Sequence, residues 1–139
     1  MTNKIKIILV DDHQIVRDGI KELISSAPNI DVIGEASDAT KFFNLLDKLS
    51  PDIILMDISI PELSGIEITK IITERYPNIK VLILSMYVQL DFIDNAIKAG
   101  VKGYLPKNTT KKELIEAITN IYEGKNYFNE SINKVIIDS

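Results

Sequence analysis

The sequence contains no cysteine and no tryptophan, and its only histidine is His13. Without cysteine the chain can form neither disulfide bonds nor thiolate zinc sites, and cysteine nucleophiles are excluded. It also lacks any apolar run near the roughly 18 residues that a membrane-spanning helix needs. No basic and apolar leader opens the chain, because Met1–Lys6 runs directly into an apolar segment. We therefore expect one cytoplasmic globular domain that makes no membrane contact.

Charge and composition narrow the function classes further. The 139 residues include 16 Lys and Arg against 20 Asp and Glu, for a formal net charge of −4. Broad nucleic-acid binding by this segment would need a basic face, so the charge balance argues against it. Hydrophobic residues make up 45% of the chain, and a domain of this size can bury a core without covalent cross-links.

Five apolar, β-branched runs alternate with segments of helical spacing. The runs are Ile5–Val10, Asp31–Ala36, Ile53–Met56, Val81–Leu84 and Val101–Leu105. Apolar runs that are mostly continuous, rather than strictly alternating, are typical of strands buried on both faces of a parallel sheet. A closed eight-fold barrel would need about 250 residues. We therefore predict an open, doubly wound α/β sheet with five strands and five helices.

The helical segments carry apolar stripes that we expect to face the core. In the first helix, one side carries Ile15, Ile20, Leu23 and Ile24. Leu90, Ile93 and Ile97 form one in the fourth helix, where burial is expected more than a role in an interface.

The sequence also indicates where two of the helices begin and where the alternation of strands and helices ends. Ser64–Glu67 and Thr110–Glu113 have the spacing of a capping box, which predicts the starts of the third and fifth helices. The alternating pattern ends at Gly124. We therefore expect a domain over residues 1–124, with residues 125–139 as a linker or C-terminal tail.

The residues that follow the predicted strands carry the chemistry. Ligands of open α/β sheets bind beyond the carboxyl ends of the strands, and Asp11, Asp12, Asp57, Ser85 and Lys107 all fall there. Taken singly, each residue has an ordinary structural role, such as Asp12 capping a helix or Asp57 starting a turn. Together they place three carboxylates, a hydroxyl and an ammonium group at one edge of the sheet.

Three converging carboxylates need positive charge among them. Oxygen ligands without a His or Cys partner suit Mg²⁺, and a cation held by carboxylates also attracts phosphate. Asp57, central in the sheet, is the candidate nucleophile toward phosphorus, with Asp11 and Asp12 as metal ligands. Ser85 would hydrogen-bond a phosphoryl oxygen, and Lys107 would supply a positive charge to it. His13 is interpreted as a partly exposed residue of the first helical turn.

These residues resemble the receiver domain of two-component response regulators over roughly residues 4–124. The matching pieces are Asp11-Asp12, Asp57 with Pro61 and Gly65 downstream, Ser85 and Lys107. Finer matches are similar to the NarL/FixJ, or LuxR-like, subfamily: Val10–His13, Leu84–Tyr87 and Lys102–Leu105. The resemblance implies a flavodoxin-like fold with strand order 2-1-3-4-5.

The resemblance also implies roles for individual residues. Asp57 would be phosphorylated by a sensor histidine kinase or a small acyl phosphate, so the domain would be a phosphoacceptor and not an enzyme. Mg²⁺ would be bound by Asp11, Asp12, Asp57 and the backbone carbonyl of Ser59. Ser85 and Lys107 would engage the phosphoryl group, and Tyr104 would be the switch residue that moves inward with Ser85.

The same resemblance sets expectations about partners. A homodimer is allowed, and DNA would be contacted only through a C-terminal helix-turn-helix domain, which the residues after Gly124 are too few to form. We therefore expect a fragment in preference to a stand-alone receiver. Asn108 follows Lys107 where many receivers have proline, which leaves the isomer of the Leu105–Pro106 bond open.

Other classes are weighed against this one. A Mg²⁺-dependent phosphohydrolase that works through an aspartyl phosphate often has a second acid two residues after the nucleophile, where this chain has Ser59. A receiver-like module that signals without phosphorylation would not need the complete set of acids, hydroxyl and lysine. A flavin-binding flavodoxin is disfavoured because Asp11-Asp12 replaces a neutral phosphate-binding loop.

Overall fold

Strands and helices alternate along the chain, and the computed structural model describes residues 4–138. The strands are β1 (Ile5–Val10), β2 (Ile30–Ala36), β3 (Ile53–Met56), β4 (Lys80–Ser85), β5 (Gly103–Pro106) and β6 (Tyr127–Phe128). The helices are α1 (Gln14–Ile24), α2 (Ala39–Leu46), α3 (Gly65–Arg75), α4 (Leu90–Ala99), α5 (Lys111–Tyr122) and α6 (Glu130–Ile137). Within the described part of the chain, no helix has both the length and the apolar character needed to cross a membrane.

The sheet is parallel throughout, with strand order β2-β1-β3-β4-β5-β6. This order confirms the predicted doubly wound arrangement and adds one strand beyond β5. The register between β1 and β2 shifts after Ile7, so that Ile8 pairs with Gly34 and a bulge forms in β2. The Leu105–Pro106 bond, which the sequence left open, is trans.

The core lies in two layers, one on each face of the sheet. Alternate residues of β1 point to opposite faces: Ile7 and Leu9 belong to the cluster covered by α1 and α5, and Ile8 and Val10 to the cluster covered by α2, α3 and α4. All of β3 is buried. Burial on both faces explains why the apolar runs are continuous.

Two of the predicted apolar stripes are partly wrong. Ile15 is 82% exposed, because α1 buries Arg17, Ile20 and Ile24. At 3.6 residues per turn, a position five residues before Ile20 lies well away from that stripe. In α4, Ile93 is buried with Ala96 and Ala99, whereas Leu90 and Ile97 are exposed. The small alanines continue the buried stripe of this helix.

The predicted starts of α3 and α5 are confirmed, and one capping hydrogen bond differs at α5. Both hydrogen bonds of the Ser64–Glu67 capping box are present at α3. At α5, Thr110 accepts a hydrogen bond from the Glu113 N–H at 3.1 Å. The reciprocal bond is replaced by one to α6, because the Glu113 carboxylate accepts a hydrogen bond from Asn129 Nδ2 at 2.9 Å.

The segment after Gly124, expected as a linker or C-terminal tail, contains a short strand and a helix. The Tyr127 N–H donates to the Lys102 carbonyl at 2.9 Å, and β6 pairs with β5. Helix α6 packs against α4 and β5, and its Ile132 is fully buried. The described residues thus contain one strand and one helix more than the five of each that the sequence predicts. A two-residue strand is too short to produce a periodic pattern in sequence. The division of the chain at residue 124 stays a prediction.

Candidate functional site

Four of the predicted side chains meet beyond the carboxyl ends of β1, β3 and β5. Asp11 and Asp12 follow β1, Asp57 follows β3, and Lys107 follows β5. Lys107 Nζ lies 2.8 Å from Asp11 Oδ2 and 3.2 Å from Asp57 Oδ2. One ammonium group thus bridges two carboxylates, as expected where parallel strands bring like charges to one edge.

Asp57 is a buried acid whose backbone and side chain are both held by hydrogen bonds. It is 5% exposed, its N–H donates to the Val10 carbonyl at 2.9 Å, and its Oδ1 accepts from the Ile58 N–H at 2.8 Å. Burial raises the pKa of Asp57 above its usual value, and the positive charge of Lys107 opposes that rise. Burial alone would lower the pKa of Lys107, but the hydrogen bond to Asp11 and the charge of Asp57 outweigh it and raise that pKa.

His13 takes a closer part in the acidic turn than the sequence analysis expected. The His13 N–H donates to Asp11 Oδ1 at 2.9 Å, and His13 Nδ1 lies 2.9 Å from Asp12 Oδ1. Ligand atoms of these three residues fall within 4.8 Å of one another. The His13 side chain is nevertheless 64% exposed. The N-cap of α1 is His13 and not Asp12, and its side chain makes no capping hydrogen bond.

An open cavity of about 350 Å³ connects the site to solvent. Asp12, Asp57, Ser59 and Lys107 line it together with His13, Met86 and Tyr87. Ser59 therefore shares a cavity with the acids, and the role of its carbonyl stays a prediction.

Ser85 and Tyr104 lie behind this cavity and are fully buried. Ser85 Oγ accepts a hydrogen bond from the Tyr87 N–H at 2.9 Å, and the Tyr104 hydroxyl donates to the Tyr87 carbonyl. Burial raises the pKa of Tyr104 to about 12, and a hydrogen bond with Ser85 partly opposes this. Tyr87, whose ring stacks on Phe92 at a centroid distance of 4.7 Å, thus connects the cavity to Tyr104.

Gly65 and Arg17 support the site in ways that the sequence pattern does not predict. A Cβ atom at Gly65 would lie 2.0 Å from the Asp57 carbonyl oxygen, so only glycine permits the close packing of α3 behind Asp57. Arg17 is buried and donates a hydrogen bond from Nη1 to the Asp11 carbonyl at 2.6 Å. The sequence signal for this role of Arg17 is its position three residues before Ile20, which places a charged side chain on the buried stripe of α1.

A family model described as the response regulator receiver domain matches residues 7–119. The chain belongs to this family. The receiver domain is 36% identical over 135 residues to the transcriptional regulatory protein DegU of Brevibacillus brevis, covering 97% of this chain and 57% of DegU. It is 34% identical over 128 residues to the response regulator protein VraR of Staphylococcus saprophyticus, covering 92% of this chain and 61% of VraR. The chain thus spans less than two thirds of the length of these relatives.

Solved structures support the same assignment. A LuxR-family two-component response regulator from Aurantimonas superposes with a TM-score of 0.92 at 35% identity, over 98% of this chain and 97% of that one. The isolated REC domain of RcsB from Salmonella enterica serovar Typhimurium, solved in the presence of phosphomimetic BeF₃⁻, gives 0.89 at 26% identity, over 96% and 99%. The predicted flavodoxin-like receiver fold, the response-regulator family and its NarL/LuxR type are confirmed.

Proposed function

We propose that this receiver domain accepts a phosphoryl group on Asp57 and transmits the event through a change in packing. The observation that carries the proposal is a buried carboxylate paired with a lysine at an open cavity. Asp57 is 5% exposed, and Lys107 Nζ lies 3.2 Å from its Oδ2. A desolvated carboxylate is a suitable nucleophile, and a positioned ammonium can stabilise charge on the transferred group.

The phosphoryl donor would be a sensor histidine kinase or a small acyl phosphate. An oxygen of Asp57 forms the new P–O bond while the P–N bond of phosphohistidine, or the P–O bond of the acyl phosphate, breaks. The leaving imidazole or carboxylate keeps the bonding electron pair, and imidazole then takes a proton from water. Lys107 and Ser85 would contact the phosphoryl oxygens. The domain assists a transfer to itself, so it is a phosphoacceptor and not a turnover enzyme.

The oxygen donors around the cavity fit Mg²⁺. Asp11, Asp12 and Asp57 would contribute carboxylate oxygens, and Ser59 its backbone carbonyl. Lys107 pairs with Asp11 and Asp57, and Asp12 lines the same cavity, so a divalent cation would balance the remaining negative charge. When bound, Mg²⁺ would neutralise charge on the phosphoryl oxygens.

Phosphorylation would act as a population shift. A phosphoryl group brings about −1.5 to −2 charges, which favours conformers in which Lys107 leaves Asp11 and the Ser85 hydroxyl turns toward the phosphate. Ser85 and Tyr104 both hydrogen-bond to Tyr87, so movement of Ser85 alters the packing of Tyr104. Tyr104 and Ile132 belong to one buried cluster, through which the change would reach α6.

The output is proposed to be control of transcription in the cytoplasm. DegU is a transcriptional regulatory protein, and this chain covers only 57% of it. RcsB, with a TM-score of 0.91 and 26% identity over 97% of this chain and 69% of the RcsB chain, has been solved as two dimers bound to two parallel DNAs. We accordingly propose that DNA is bound by a part of the protein outside this chain, and that phosphorylation controls dimerisation.

The test is phosphorylation with acetyl phosphate and Mg²⁺, followed by intact-mass measurement. The wild type is expected to gain one phosphoryl group that hydroxylamine removes, and Asp57→Asn is expected to gain none. Asp52→Asn is a matched control, because Asp52 precedes the same strand and accepts the Lys6 N–H at 2.8 Å. An unmodified wild type, or an undiminished adduct on Asp57→Asn, contradicts the proposal. Turnover of unrelated phosphomonoesters would indicate a hydrolase instead.

A further inference from the structure

We propose that Arg17 is a positioning residue for the acidic turn, which holds the Asp11 carbonyl so that the Asp11 and Asp12 carboxylates face the cation site. This inference deepens the proposed function and rests on it. Arg17 does not contact the phosphoryl position. It acts through the backbone of Asp11.

The Arg17 guanidinium group donates a hydrogen bond from each of its three nitrogens. Nη1 donates to the Asp11 carbonyl at 2.6 Å, Nε donates to Glu35 Oε1 at 2.9 Å, and Nη2 donates to Gln14 Oε1 at 2.6 Å. The residue is only 9% exposed. Because all three nitrogens of the planar guanidinium group donate hydrogen bonds, the group is held in one orientation. Its Nη1 donor is therefore preorganised toward the Asp11 carbonyl.

Strand β2 fixes Asp11 on both sides of its peptide backbone. The Asp11 N–H donates to the Ala36 carbonyl at 3.1 Å, and the Asp11 carbonyl accepts from Arg17, which Glu35 of β2 holds. The Asp11 side chain has separate partners: Oδ1 accepts the His13 N–H, and Oδ2 meets Lys107. Arg17 therefore restrains the acidic turn from behind, and the carboxylates remain available to the site.

The charge of Arg17 is balanced within its own cluster. Glu35 Oε2 binds Lys21 Nζ at 2.7 Å, and Lys21 lies 3.4 Å from Asp18. The hydrogen bond from Lys21, with that from Arg17, lowers the pKa of Glu35 below its usual value, so Glu35 stays ionised. Two cations and two anions offset one another, and the effect of Arg17 on the site is therefore geometric. Arg17→Lys keeps the charge but cannot place donors at three separated oxygens.

The experiment titrates the ¹⁵N-labelled chain with MgCl₂ and follows amide resonances of the acidic turn. Residues that orient metal ligands typically change metal affinity by 10–100-fold when mutated, so Arg17→Lys is expected to raise the Mg²⁺ Kd by about tenfold. Lys21→Met is the matched control, because it removes the other cation on Glu35 without touching Asp11; its Kd is expected to stay within about twofold, as for an exposed ion pair. The Mg²⁺ concentration that gives half the maximal rate of labelling by acetyl phosphate should rise by the same factor for Arg17→Lys. Its labelling rate at saturating Mg²⁺ should equal that of the wild type.

The outcomes are distinguishable. Equal Mg²⁺ affinity for folded Arg17→Lys and wild type overturns the positioning role and leaves the proposed function intact. A loss of the saturating rate with unchanged affinity overturns it as well. If Arg17→Lys does not fold, Glu35→Ala provides the test, because it frees Nε and should weaken Mg²⁺ binding while Glu35→Gln does not. A wild type that neither binds Mg²⁺ nor accepts phosphate overturns the proposed function, and this inference with it.

Discussion

The docking of α6 onto the sheet can be measured with a single substitution, Ile132→Ala. Ile132 is fully buried, in a cluster that includes Tyr104, and its helix packs against α4 and β5. The segment was expected to be a linker or tail, so its contribution to stability is a direct test of the fold. If α6 is part of the folded unit, truncating Ile132 must lower the free energy of unfolding.

The magnitude follows from the atoms removed. Ile132→Ala deletes three carbon atoms, and at about 0.8 kcal/mol per buried CH₂ this costs about 2.4 kcal/mol of transfer free energy. A cavity term adds to this, but a terminal helix can partly close the space, so the total should fall near the low end of the usual 2–5 kcal/mol. With an m-value of about 2 kcal/mol per molar urea, the unfolding midpoint should fall by about 1.2 M.

Urea unfolding followed by circular dichroism and tyrosine fluorescence is the assay, since the chain has five tyrosines and no tryptophan. Ile137→Ala is the matched control: it makes the same change in the same helix at a side chain that is 78% exposed. Its free energy of unfolding is expected to stay within about 0.5 kcal/mol of wild type. Equal midpoints for the two variants would refute the docking of α6.

Three further predictions concern the site and its support. Because burial raises the pKa of Asp57, the stability linked to its protonation is present at low pH and is lost as the pH rises through that raised value. Asp57→Asn should therefore have a higher urea midpoint than wild type at pH 7. The difference should shrink as the pH falls through the raised folded pKa and vanish below the unfolded pKa of about 3.9; equal midpoints at pH 7 would contradict this. Gly65→Ala places a Cβ atom 2.0 Å from a backbone oxygen. It should lower the free energy of unfolding, measured with urea, by about 3 kcal/mol. Gly19 in α1 is the matched control, because a Cβ atom there would have no atom beyond its own helix backbone within 4 Å. Gly19→Ala should raise the free energy of unfolding by about 0.5–1 kcal/mol, and similar effects at both glycines would argue against the close contact. Lys107→Met leaves Asp11 and Asp57 without their shared cation and should lower the free energy of unfolding by about 3 kcal/mol. Added Mg²⁺ should restore part of the lost urea midpoint. An unchanged midpoint for Lys107→Met without Mg²⁺ would contradict the pairing.

The sheet could be predicted because its signal is repeated and local. The central strands β1, β3 and β4 are mostly apolar runs, and burial on both faces keeps the run continuous, as in Ile53–Met56. Helix faces were less predictable. Ile15 and Leu90 are apolar but exposed, since which side of a helix meets the sheet depends on packing and not on hydrophobicity alone. The β6 and α6 elements were missed because their docking depends on contacts with β5 and α4 that are distant in sequence.

The acids and the lysine of the site were accessible to sequence reasoning for a topological reason. Parallel strands end at one edge, so Asp11, Asp57 and Lys107 must approach one another once the strands are correctly located. The position of Arg17 was not accessible in this way. Its hydrogen bonds join α1 to Glu35 of β2, and they depend on the rotation of the helix and on the bulged register of β1 with β2.

The two outer strands of the sheet have a consequence for how this protein avoids aggregation. β6 is only two residues long, and β2 carries a bulge together with the charged residues Asp31 and Glu35. Short, bulged or charged edges are poor templates for the addition of another strand. Within residues 4–138, an extended segment of a second molecule therefore meets no long, flat row of free backbone groups at either edge of the sheet. Copies of this domain are expected to meet through helical surfaces, and the sheet stays closed to intermolecular growth.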